Sequence, residues 1–141
     1  MNVGRILTGG LLAGLVMNIG EYVLNGIVLK EKWDAAMADM GMEPMTGATI
    51  GVLVVVTFVL GIAFVWLYAA MRPRFGAGPR TALIAGFFAW LLLSGMPFVW
   101  NQLVPVYPSS LVMVGLVWSF FEIPIATLIG AWIYKEKAPI M

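Results

Sequence analysis

Four long apolar runs constrain this chain most, over residues 6–28, 46–71, 81–100 and 110–134. Each reaches the roughly 20 residues that an α-helix needs to cross about 30 Å of hydrocarbon at 1.5 Å per residue. Strands are a poor alternative, because four cannot close a barrel and lipid offers no partner to an open sheet edge. The composition agrees. Charged residues make up 11% of the 141 and hydrophobic ones 62%, where a soluble domain carries about 25% charged. Most side chains are therefore expected to meet lipid or other apolar helices. The first run is too long for the apolar core of a signal peptide, about 7–15 residues. The small-residue triplet Ala36-Met37-Ala38 also lies well past its end. It reads as a retained helix. The expected fold is all-α, a bundle of four transmembrane helices forming a single membrane domain over residues 1–141.

The connections predict the orientation. Arg5 precedes the first run, Arg72, Arg74 and Arg80 lie in or beside the second connection, and Lys135 and Lys137 follow the fourth run. The opposite side has Lys30 and Lys32. By the positive-inside rule this excess places both termini in the cytoplasm. Trp66, Tyr68, Trp132 and Tyr134 are expected at the inner interface, and Trp33, Trp100 and Tyr107 at the outer one. In the first outer connection Trp33, Ala36, Met37 and Met40 recur at i, i+3, i+4 and i+7. That spacing predicts a short amphipathic, interfacial helix between helices one and two, ended by Gly41 and Pro44.

Composition also removes several chemistries. The net charge of +1, without a basic cluster, argues against nucleic acid. Cysteine and histidine are both absent, which excludes disulfides, thiol catalysis, iron–sulfur ligation by thiolate and the usual neutral-pH acid–base group. No nucleophile–base pair stands out, so no catalytic residue is assigned, no cofactor is expected, and an enzyme is the least favoured class.

Two stripes remain. Gly10, Gly14, Asn18, Glu21 and Asn25 share one face of the first run, and Gly115, Ser119, Glu122, Ala126 and Gly130 share one face of the fourth. Small residues let helix backbones approach closely, and polar groups hydrogen-bond across membrane helices. The two stripes are therefore expected to face each other. Glu122 lies near the middle of its run, and Glu21 about four residues, or ~6 Å, beyond the midpoint of its own. No Lys, Arg or His lies deep in any run. Each acid must then be protonated, share a proton or hold a cation. Glu21 and Glu122, with Asn18, Asn25 and Ser119, are candidates for a proton or cation site; the structural alternative is that they simply bridge two helices. Met37, Met40, Met42 and Met45 supply thioethers that suit Cu(I), although apolar contact accounts for them as well. Pro97 and Pro124 fall inside runs and each frees a carbonyl one turn earlier.

Asn18-Ile19-Gly20-Glu21 in the first run, Trp33 to Met37 in the connection, and Trp66-Leu67-Tyr68 with the following arginines together resemble small bacterial four-helix integral membrane proteins with no assigned activity. The resemblance covers most of the chain and implies the topology and a bacterial inner-membrane setting. The expected role is a non-catalytic accessory or assembly subunit, in contact with the lipid bilayer and with other membrane subunits or copies of itself. The alternative is proton- or cation-linked binding or transport of a small solute through Glu21 and Glu122.

Overall fold

A computed structural model describes residues 1–136; Lys137, counted above in the charge asymmetry, lies outside them. The described residues are helical and contain no strand, and four helices are long and apolar enough to cross a membrane. These are α1 (Val3–Val28), α3 (Gly47–Phe75), α4 (Pro79–Leu103) and α5 (Ser109–Ile133). The short α2 (Lys30–Asp39) follows α1.

Local chemistry sets the ends. Asn2 caps α1 by accepting from the Arg5 N–H, and Thr46 caps α3 by accepting from the Thr49 N–H. Pro79 opens α4 in the first turn, where its missing N–H costs nothing. Just past α2, Gly41 takes φ +69°, and Gly76 ends α3 at φ +84°. Both values favour glycine. Pro97 cannot donate to the Leu93 carbonyl, and the helix absorbs it by widening into a π-turn over Leu91–Gly95. A second π segment, Tyr22–Val28, forms the last turns of α1.

Helix α1 lies between α3 and α5, and α4 packs on α5. The core fills the half of the bundle nearer the chain ends. It is rich in alanine (Ala13, Ala69, Ala82, Ala85, Ala89, Ala126 and Ala131) around Phe64, Val65, Met17 and Ile123. Two glycine contacts explain the close approach. A Cβ on Gly9 would run into the Gly130 carbonyl, so α1 and α5 touch backbone to backbone. A Cβ on Gly61 of α3 would overlap the backbones of Gly10 and Gly14. In the bilayer such packing and interhelical hydrogen bonds replace the hydrophobic drive between helices. At the opposite end α2 docks through Ala36 and Trp33 onto Leu24, Leu29 and Leu111, and Trp33 meets Tyr107 edge-to-face at 5.6 Å.

The aromatic girdle at the chain-end face is divided. Trp66 and Trp132 are exposed, but Tyr68 and Tyr134 are buried. They flank the Arg72 guanidinium at 5.9 and 5.1 Å. Arg72 is therefore part of the fold, not solely a topology charge.

Candidate functional site

Glu122 lies across α1. Its carboxyl oxygen occupies the space that a Cβ on Gly20 would fill, so a side chain at position 20 would have to displace it. The Trp118 indole N–H, one turn back along α5, donates to Glu122 Oε1 at 3.1 Å. The Glu21 carboxyl is a near neighbour of Glu122. Asn25 Nδ2 donates to Glu21 Oε2, and the Trp33 indole N–H donates to Asn25 Oδ1 at 2.8 Å. The result is a polar line from α2 through the π segment of α1 to the flank of α5: Trp33, Asn25, Glu21, Glu122, Trp118. The π segment contributes directly, since Asn25, which joins α2 to the acids, lies within it.

The line borders a groove of about 620 Å³ open to the side of the bundle. Val16, Ile19 and Val23 of α1 form one wall, and Val114, Val117 and Ile125 of α5 the other. Glu21 is exposed and Glu122 is half-buried. Of the two acids it is Glu122 that lines this apolar, laterally open groove.

Other candidates go elsewhere. Gly10 and Gly14 do not face α5: a Cβ at either would meet Ile62 or Phe58 of α3. Gly115 has no heavy atom within 4 Å of its Cβ position, so it is no packing residue. Gly130 does pack on α1, but against Gly9, and Ala126 is fully buried. Asn18 donates to the Gly14 carbonyl at 2.9 Å and to Val54 of α3 at 3.4 Å. Ser119 donates to Ser94 of α4 at 2.9 Å. Neither is a partner of the acids. Pro124 sits within α5 with Gly86 of α4 seated on it. Met42 and Met45 are exposed, while Met37 and Met40 are half-buried at the end of α2.

Sequence reasoning passed over Gly20, Trp118 and Trp33 as members of the site. Trp118 lies four residues before Glu122 on one helix, so an indole donor at helical spacing from a membrane acid was a usable signal; Trp33 reaches Asn25 from a separate helix, which no spacing rule announces. It also passed over the cluster at the chain-end face. There Tyr134 donates to Glu136 at 2.8 Å, Asn2 N–H donates to the Tyr134 hydroxyl at 3.1 Å, and Arg72 lies 3.6 Å from Glu136. The bonds from Tyr134 and from the Met1 amino group hold the Glu136 carboxyl below the usual carboxylate range, and burial pushes the Tyr134 hydroxyl up.

Comparison with family models, curated proteins and solved structures finds no match to this chain.

Proposed function

We propose that this protein is a non-catalytic accessory subunit of a complex in the bacterial inner membrane, with both termini cytoplasmic, and that it docks through the α1–α5 groove. One observation carries the reading. Glu122 lines an apolar groove open to the side of the bundle, and every Lys and Arg of this chain lies in a connection, near a helix end or beyond α5, away from it. Carboxyls at membrane depth are rare, and in membrane proteins they turn to bundle interiors, aqueous cavities or partners. Here the turn is outward, which favours a partner. The orientation rests on the arginines at the ends of α3 and α4. The test is the mass of the assembly extracted directly from native membranes into nanodiscs. A species larger than one chain, reduced to one chain by the groove-filling change Val117→Trp, is expected. A single chain in both cases would sink the reading.

A second reading has its own support. Two neighbouring carboxyls at membrane depth can exchange a proton for a cation, which is what proton- or cation-linked solute binding requires. Binding of tetraphenylphosphonium to the purified protein across pH tests it. The reading fails if Glu21→Gln and Glu122→Gln leave the binding and its pH response unchanged.

A further inference from the structure

We infer that the groove receives a transmembrane helix of a different polypeptide, bearing a lysine or arginine at the depth of Glu21 and Glu122. The inference rests on the subunit reading and narrows it to one kind of partner.

Shape comes first. The α5 wall runs from Val114 to Ile125, a rise of roughly 16 Å at 1.5 Å per residue, or about three helical turns. On α1 the lining residues Val16, Ile19, Gly20 and Val23 fall at i, i+3, i+4 and i+7, one helix face. Two helices flanking an elongated trough is the arrangement into which the ridge of a third helix packs.

Chemistry selects the side chain. An ionised carboxylate offers about four acceptor sites. Within the chain Glu122 receives the Trp118 indole and Glu21 receives the Asn25 amide. Both donors are neutral, so an ionised acid here has no counter-ion among its hydrogen-bond partners. In hydrocarbon a basic side chain supplies both the charge and further donors.

The source of that cation follows from the sequence. Every Lys and Arg of this chain lies in a connection, in the first or last turn of a helix, or beyond α5. A second copy packed alongside therefore cannot present one at the level of the pair. A lipid amine stays with its headgroup, whereas Glu21 lies ~6 Å from the middle of its run, well inside the hydrocarbon. A heterologous helix meets all three conditions.

The experiment places a photo-crosslinking amino acid at Val117 of the full chain in native membranes, with Val55 on the exposed flank of α3 as control. Both positions are exposed, at 53% and 62%, so neither disturbs the core. Crosslinked peptides are sequenced by mass spectrometry. The expected product joins Val117 to a transmembrane segment of another protein that contains Lys or Arg. Its yield should fall about tenfold or more in Glu21→Gln/Glu122→Gln, as for the loss of a desolvated ion pair. Substitution of the partner's basic residue by Met should lower it equally. The Gln variants keep the shape and hydrogen-bonding capacity of the acids, and unchanged extraction yield would show that they fold. A heterologous partner with no basic residue in the crosslinked segment overturns the inference and leaves the subunit reading intact. So does a yield indifferent to the Gln changes. Crosslinks to this chain alone overturn the inference and leave docking through the groove intact; crosslinks to lipid alone, or no more than at Val55, overturn both.

Discussion

Replacing Gly61 by alanine should be among the most damaging single-methyl changes in the protein, and the same change at Gly115 should do nothing. The Gly61 Cβ would lie 2.8 Å from the Gly14 Cα and closer still to the Gly10 carbonyl oxygen and the Gly14 nitrogen. All three are backbone atoms, which cannot swing aside as a side chain can. Carbon–carbon contacts are most favourable at about 3.5–4.0 Å, so α1 and α3 must separate by about 1 Å. Overpacking of this kind costs about 1–3 kcal/mol, or roughly a 5- to 150-fold loss in the folded-to-unfolded ratio. Around Gly115 no atom lies within 4 Å of the Cβ position, and an unconstrained surface change stays within about 0.5 kcal/mol. The assay is reversible denaturation in mixed detergent–SDS micelles, followed through the fluorescence of the six tryptophans. Equal midpoints for Gly61→Ala and wild type, or a Gly115→Ala loss matching that of Gly61→Ala, would refute the assigned contact between α1 and α3.

Three further outcomes follow from the same geometry. A reporter fused at Met141 or within residues 76–78 should show cytoplasmic activity and one at Asp39 or Ser109 should not; cytoplasmic activity at Asp39 would break the orientation. Replacing Glu122 by Gln should leave thermal stability nearly unchanged, while Glu122→Leu strands the Trp118 N–H and the Glu21 carboxyl and should cost about 1–3 kcal/mol; a Leu variant as stable as wild type would remove the bridge. At the chain-end face, the lowered Glu136 means that folding favours its ionised form. Its contribution is complete above the ordinary glutamate value of about pH 4.3 and is lost as pH falls through the lower native value. Wild type should therefore lose stability over that acidic window more steeply than Glu136→Gln, and parallel pH curves for the two would contradict the contact.

The helices were legible because their signals are local. Hydropathy marks each span, Gly41 stops α2, and the period of Trp33, Ala36, Met37 and Met40 places that helix before any tertiary contact is known. Pro97 was legible as a disturbance of α4 but not as a π-turn. The missing donor is written in the sequence, while the way a helix absorbs it depends on the packing around it. Tyr68 and Tyr134 misled for a different reason. At the end of a membrane helix a tyrosine suits either the interface or a buried cation, and only the position of Arg72 decides between them.

The choice of neighbours for α1 failed by one residue. Successive positions on a helix differ by about 100°, more than a quarter of its circumference. Gly10, Gly14 and Asn18 share a face, and it meets α3; the face toward α5 carries Gly9, Ala13 and Gly20. Both sets are small residues at nearly the same spacing, so composition cannot rank them. A glycine has no side chain to correct the error, because its neighbour is whatever backbone lies against it. A glutamate reaches several ångströms from its own Cα. Glu21 therefore approaches Glu122 although it is one position along from Gly20, the residue that α5 touches. Pairing of the two acids could thus be inferred even though the glycine register was off by one. For the same reason Gly20→Ala is a sharper probe of the site than a change at Glu21. The added methyl lands on the Glu122 carboxyl itself, so that flexible side chain must shift from the place where it accepts from Trp118. If the groove recognises a partner through the paired acids, Gly20→Ala should reduce docking as strongly as Glu122→Gln while leaving both carboxyls in place. Docking unaffected by Gly20→Ala would show that the apolar walls, not the acid pair, do the recognising.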